Sequence, residues 1–281
     1  MLVELESLRS RLLYGYVYGE TGAGKTTLLA TLCPDKTGLG IVSAEKGGPQ
    51  VLLSLGFKGK MVFLINEPAS KDSNFDPFER AIQGVHTFAA RSDITAIGVD
   101  GLTLLAGMAI NHWSSDGTEK GMGYDGWGAV LGGYRRLEAA CRYAFEARKK
   151  SVVSTAWEVG PVEAEDPFTK APYIKAQGRH YIYGKGQIWS PGPCDFLARL
   201  TSKFVKEGGK EVWKGQLQVR QSAEWLAKTR FKNLPNPCPA DFQKILDLVS
   251  KESSPSDKVP PGKTPAVAAP APMKVAAQPK K

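Results

Sequence analysis

Residues 14–32 read YGYVYGETGAGKTTLLATL, and three kinds of segment follow one another within them. Tyr14–Tyr18 is dense in aromatic and β-branched residues, which favour a strand. Lys25–Leu32 is an apolar segment with no helix breaker, which favours a helix. Between them, Gly19 to Thr26 fits the spacing G-x-x-x-x-G-K-[ST]. Gly22 and Gly24 let backbone N–H groups curl around a β-phosphate, and the start of a helix behind them favours the same charge. Lys25 supplies a point charge to the β- and γ-phosphates, and Thr26 a hydroxyl ligand for Mg²⁺. The stretch therefore predicts a nucleoside triphosphate site made by Gly19, Glu20, Thr21, Gly22, Ala23, Gly24, Lys25, Thr26 and Thr27, with ATP and Mg²⁺ as cofactors.

Working outward, strand-like runs at Gly40–Ala44, Met61–Ile65, Ile94–Asp100 and Ser151–Ala156 alternate with helical patterns at Pro77–Ala90 and Trp127–Lys149. In the last of these, Trp127, Val130, Leu131, Tyr134, Leu137, Cys141 and Phe145 recur at three- and four-residue steps and make one apolar face. After residue 187 the pattern changes to strands without long helices, at Asp195–Leu200, Phe204–Lys206 and Gly215–Arg220. Alternating β and α predicts an α/β fold, a mainly parallel sheet with helices on both faces, extended by antiparallel strands near its C-terminal end.

The sheet supplies further candidates. ITAIGVDGL, 94–102, ends an apolar strand on Asp100, whose carboxylate is placed to support the Mg²⁺ held by Thr26. GIVSAEKGG, 40–48, sets Glu45 just past the next strand, at the mouth of the sheet, where it can orient or deprotonate water. VVSTAWE, 152–158, brings Thr155 and Glu158 to the end of a fourth strand; a polar group there can contact a γ-phosphate, although Thr155 equally suits a buried strand position.

Composition bounds the rest. Hydrophobic residues make up 42% and charged residues 23%, ordinary for a cored protein. The apolar runs are too short to span a bilayer, and the opening MLVELESLRSRLLYG mixes acids and bases early and lacks an uninterrupted apolar stretch, which argues against a signal peptide. Cys33, Cys141, Cys194 and Cys238 form no C-x-x-C pair, and His86, His112 and His180 show no ligand spacing, which favours a reducing cytoplasm over a disulfide or metal framework. Of the net charge of +9, the segment from Lys251 onward contributes +4, with six lysines against Glu252 and Asp257. That Pro/Ala/Lys-rich segment buries too little to offset ordering entropy, so 251–281 is expected to be a disordered tail on a domain of 1–250. It reads as a solubilising tail or as a polybasic tether for nucleic acid or a partner protein.

The order of parts (P-loop, Glu45, Asp100, a glycine-rich loop, a long helix, VVSTAWE, a second long loop, then AKTR) resembles a RecA-like ATPase core. It is most similar to the phage-type AAA family of nucleotide-binding proteins, which includes single-strand annealing recombinases. The resemblance covers roughly residues 14–247. It implies that Glu45 activates water, that Asp100 supports magnesium, and that Thr155 and Glu158 form a sensor switch. It departs from the family where Gly101 replaces a common Ser, Ser43 a common acid, and Trp157 a common His. It also implies that the loops 111–126 and 158–187 face single-stranded DNA. The second interleaves Lys170, Lys175, Arg179 and Lys185 with Tyr173, Tyr181 and Tyr183, cations for phosphates and rings for bases. Glu163, Glu165 and Asp166 oppose that patch, and a solvated loop with a small hairpin is the alternative.

One stretch remains, LAKTRFKNLP, 226–235. Alternation puts Lys228 and Arg230 on one face of a late strand. The resemblance gives that face a destination, the triphosphate bound by the next subunit, where cations stabilise the charge developing in hydrolysis. It thus implies a homo-oligomer, ring or filament, acting in recombination or replication in the host cytoplasm, with a single-strand binding protein as a further partner of the tail. A translocating motor, a P-loop kinase of a small molecule and a non-hydrolysing nucleotide-gated module are the competing readings.

Overall fold

The computed structural model describes residues 12–33, 37–57, 62–65, 75–167, 169–170, 172–181 and 192–252. The first strand, β1 (Tyr14–Gly19), runs into the glycine loop and α1 (Lys25–Ala30). There follow β2 (Leu39–Ser43), α2 (Gly48–Ser54), β3 (Val62–Leu64), α3 (Pro77–Ala90), β4 (Ala96–Asp100), α4 (Leu102–Trp113) and α5 (Tyr124–Glu146). The remaining elements are β5 (Ser151–Val159), β6 (Val162–Glu165), β7 (Pro172–Ala176), β8 (Arg179–Tyr181), β9 (Phe196–Glu207), β10 (Lys210–Gln218), β11 (Lys228–Thr229), β12 (Cys238–Pro239) and α6 (Phe242–Glu252).

The main sheet has the order β12-β10-β9-β1-β5-β4-β2-β3, with β11 added to β9 and β8 to β5. From β9 to β3 the pairs are parallel; β8, β10, β11 and β12 are antiparallel additions. This is the α/β architecture that the sequence predicts, a mainly parallel sheet extended by antiparallel strands. Its parallel strands β1, β2 and β4 are buried along their whole length, which is why the sequence shows them as apolar runs without polar alternation.

The two faces of the sheet carry separate cores. Tyr14, Tyr16 and Tyr18 of β1 pack with α3, α4 and α5 on one side. Val17 of the same strand packs with Leu28 and Leu29 of α1, Leu52 of α2 and Phe242 and Ile245 of α6 on the other. The period-2 alternation of β1 thus joins both layers behind the glycine loop.

Three helices depart from the sequence expectation. The run in α4 is apolar on nearly every side, so it lacks amphipathic periodicity; it is a buried helix packed among α3, α5 and β5. The region after residue 187 does contain a helix: Asp241 Oδ1 accepts from the N–H groups of Gln243 at 3.0 Å and Lys244 at 3.3 Å and so starts α6. α6 docks on the end of α1, where Thr31 Oγ1 accepts from the Phe242 N–H at 2.9 Å. The tail expected from residue 251 therefore begins inside the last turn of α6, and 253–281 lie outside the described residues. α2 was also not anticipated, and the expected break between Leu200 and Phe204 is absent, since β9 is continuous over Phe196–Glu207. The 111–126 segment is shorter as a loop than expected: α4 reaches Trp113 and α5 starts at Tyr124. No helix among the described residues is long and apolar enough to cross a membrane.

Candidate nucleotide site

β5 lies between β1 and β4, so the glycine loop and Asp100 emerge two strands apart, and side chains must close the gap. Gly22 at φ 81° and Gly24 at φ 87° hold left-handed backbone, which lets the loop double back before α1. Thr26, on the first turn of α1, donates its hydroxyl to Asp100 Oδ2 at 2.7 Å. Thr155 on β5 donates to the other oxygen, Oδ1, at 2.6 Å, and its Oγ1 accepts from the Gly101 N–H at 3.1 Å. Asp100 is 1% exposed. Burial pushes its carboxyl up, while the hydroxyls of Thr155 and Thr26 and the charge of Lys25 pull it down.

Lys25 is buried too. Its ammonium donates to the carbonyls of Gly19 at 3.0 Å and Glu20 at 2.8 Å. Burial lowers its pKa, and Glu45, Asp100 and Glu158 oppose that shift. Three carboxylates thus surround one loop cation, and the acceptors that hold it belong to the loop that a phosphate would enter.

Glu45 follows β2 in a turn fixed by Ser43, whose Oγ accepts from the Glu45 N–H at 3.1 Å and donates to the Glu45 carbonyl at 3.0 Å. Ser43 is thus a turn-forming hydroxyl that fixes the backbone of Glu45. Half-buried, Glu45 has its pKa raised first by desolvation and second by Asp100; Lys25 and a side-chain hydrogen bond from Trp157 lower it. Trp157 thus acts as a donor to the candidate base. The substitution at residue 101 also has a local reason. Gly101 sits at φ 90°, and a Cβ there would come within 2.9 Å of Glu45 Cγ.

Glu158 does not stand free. Arg199 on β9 donates to it from Nε at 2.9 Å and from Nη2 at 3.1 Å, and the guanidinium lies 3.4 Å above the Trp225 ring centre. Sequence reasoning overlooked Arg199 and Trp225. Neither belongs to a motif: the pairing of β9 beside β1 brings Arg199 to the loop, and the bridge of Trp225 to Gly178 brings the ring over it. The clefts on either side of the loop measure about 360 Å³, against Arg199–Ser202 of β9, and about 460 Å³, against Trp157, Glu158 and Trp225.

The other sequence candidates fall elsewhere. Lys228 pairs with Leu197, which is level with Tyr16, three residues short of Gly19 and so ~10 Å down the sheet at ~3.3 Å per residue. Its ammonium donates to the Gly192 carbonyl at 2.8 Å, and Arg230 lies 3.5 Å from Asp195 with its side chain 60% exposed. The two cations do converge, but toward the end of β1 opposite the glycine loop, not on this chain's own triphosphate site.

The long second loop is largely strand. β6 and β7 form a hairpin, and β8 returns to pair with β5. Tyr173 pairs with Ala164 and is exposed, Glu163 and Glu165 pair with Ile174 and Pro172, and a register shift between Val162 and Glu163 leaves Lys175, also exposed, as the extra residue of β7. Lys170 occupies the turn at φ 59°, and Arg179 and Tyr181 are half-buried in β8. Tyr183 and Lys185 lie outside the described residues.

The arrangement is a strand–glycine loop–helix unit on a mainly parallel α/β sheet, with a buried strand-end carboxylate joined to the loop helix. No family model matches the sequence, and no curated protein matches it either. Among solved structures the chain is similar to the crystal structure of the RadB recombinase, at 16% identity and a TM-score of 0.41 over 76% of this chain and 84% of that one.

Proposed function

We propose that this chain is a Mg²⁺-dependent ATPase that assembles as a homo-oligomer on single-stranded DNA in phage recombination or replication. The observation that carries the reading is the hydrogen bond from Thr26 to Asp100, with Glu45 beside them. It joins the hydroxyl of the glycine loop, a buried strand-end carboxylate and a candidate base at the carboxyl end of one sheet. These residues suit a magnesium nucleotide: one hydroxyl and one carboxylate leave the remaining positions to phosphate oxygens and water, as Mg²⁺ prefers. When bound, the ion neutralises charge on the phosphate chain.

The chain's own residues divide the remaining work. Lys25 leaves the loop carbonyls for the β- and γ-phosphates. Thr155 fixes the orientation of Asp100. Glu45, whose pKa burial and Asp100 raise, takes a proton from the attacking water. On the hairpin, exposed Tyr173 stacks bases and exposed Lys175 neutralises phosphates, and Lys228 with Arg230 serves the site of a neighbouring subunit. Phosphate release measured with and without single-stranded DNA at moderate salt tests this reading. Turnover stimulated by DNA is expected; turnover without DNA binding in the presence of ATP refutes it. Strand displacement would indicate a motor, and phosphate transfer to an added acceptor a kinase.

A further inference from the structure

Arg199 is a buried cation at the mouth of the glycine loop that the reading above does not use. It is level with Tyr18 on the strand beside β1, one residue short of Gly19. Glu158 comes from the strand on the other side of β1, one residue beyond the level of Gly19. The pair therefore closes over the carboxyl end of β1, directly in front of the loop. Among the described residues that line the clefts on either side of Glu20 and Thr21, Arg199 is the one cation, and it borders both.

The way Arg199 is held matters more than its location. Glu158 takes Nε and Nη2, one edge of the guanidinium, and Trp225 covers a face. The second edge, carrying the Nη1 donors, has no protein acceptor among the described residues. The side chains of Arg199 and Glu158 are only 17% and 8% exposed, so the fork is fixed rather than waving in solvent. Trp225 is itself anchored: the Glu224 carbonyl accepts from the Gly178 N–H at 2.7 Å, and the Leu226 N–H donates to the Gly178 carbonyl at 2.9 Å. A guanidinium with one edge satisfied, one face covered and one edge open to a cleft is a preorganised anion ligand, since planar forks bind phosphate oxygens by paired N–H donors.

We propose that Arg199 is a phosphate ligand supplied in cis to the nucleotide, with Glu158 as its positioning residue. Glu158 keeps the Nε–Nη2 edge when nucleotide enters, so no buried carboxylate is stranded, and the Nη1 edge meets the phosphate chain. The strand-end acid beside the loop thus acts through the arginine. The register of Arg199 with Tyr18 and of Glu158 one residue beyond Gly19 places the pair beside the glycine loop. The inference rests on the glycine loop binding a nucleotide.

Isothermal titration of the full chain with MgATP and MgADP tests it, using Arg199→Ala, Arg199→Lys, Glu158→Ala and Lys25→Ala, with thermal unfolding as the folding control. A charge-assisted hydrogen bond corresponds to about 10- to 100-fold in affinity, so Arg199→Ala is expected to weaken ATP by that factor. Arg199→Lys, which keeps the charge without the fork, should recover only part of it. Glu158→Ala should weaken ATP in the wild-type background and have no further effect in the Arg199→Ala background, a coupling that a merely structural role does not produce. Wild-type affinity in both folded Arg199 variants, with binding abolished in Lys25→Ala, overturns the inference and leaves the nucleotide site standing. Absence of ATP binding by the wild-type chain overturns both.

Discussion

Thr155→Val separates two roles for a residue that the sequence leaves open. The hydroxyl donates to Asp100 at 2.6 Å and accepts from the Gly101 N–H at 3.1 Å, with both side chains 1% exposed. Valine keeps the shape and removes both bonds. A hydrogen bond to a charged acceptor contributes about 1.5–3 kcal/mol, and a stranded buried N–H costs about 1–3 kcal/mol. Partial relaxation puts the expected loss at about 3 kcal/mol, which in a domain of this size lowers Tm by about 6–12 °C. With one hydroxyl gone, burial holds the Asp100 carboxyl further up, and a metal needs the ionised, oriented carboxylate. Losing such an outer partner typically weakens metal binding about 10- to 100-fold. The Mg²⁺ concentration for half-maximal ATP turnover should rise by that factor, and Thr155→Ser should restore it. Unfolding in differential scanning calorimetry and a Mg²⁺ titration of phosphate release provide the two readouts. If Thr155 instead reported on the γ-phosphate, the variant would raise KM for ATP at saturating Mg²⁺ and leave Tm and the Mg²⁺ titration unchanged. That result would refute the positioning role.

Four other outcomes are expected. Trp157→Phe removes the donor that lowers the Glu45 pKa, so the carboxyl rises and the acid limb of the ATPase pH profile moves to higher pH; an unmoved limb rules out the contact. Glu45→Gln should abolish turnover with ATP affinity retained. Because the folded pKa of Glu45 is raised, the wild-type fold carries an ionisation cost at neutral pH that fades as the pH falls through that pKa. The variant should therefore be the more stable at pH 7 in urea denaturation, with the gap narrowing at pH 5. Phe242→Ala should cost about 3–5 kcal/mol, since the ring is fully buried, and ending the chain after 241 should abolish cooperative unfolding where ending it after 252 does not. Lys228→Ala and Arg230→Ala should leave nucleotide affinity of the isolated chain unchanged and remove DNA-stimulated turnover; normal stimulated turnover in both makes the pair ordinary surface charge.

What the sequence disclosed depends on how local the determinant is. The glycine loop is one contiguous stretch whose spacing is imposed by backbone wrapping, so all its residues could be assigned without any fold. Asp100 and Glu45 were legible one step further out, because strand ends in a parallel sheet converge on one edge. Thr155 was ambiguous because its role depends on register: Val99 pairs with Ser154, and the hydroxyl of the next residue therefore reaches the carboxylate on the neighbouring strand. Arg199 was invisible for a stronger form of the same reason. Its strand returns to β1 almost two hundred residues after the loop, beyond any periodicity. α4 was missed through excess of signal, since a helix apolar on all sides has no face to detect, and α6 because a proline-rich tail follows it closely. Lys228 and Arg230 mark the opposite limit. Their shared face was readable from alternation alone, but their distance from the glycine loop was not. That distance constrains the function: cations held ~10 Å or more down the sheet cannot serve this chain's own triphosphate without breaking β11 from β9. On the oligomeric reading proposed above, their catalytic role falls on a neighbouring subunit. Assembly would then be a condition of turnover, while Arg199 supplies the charge that each subunit carries for itself.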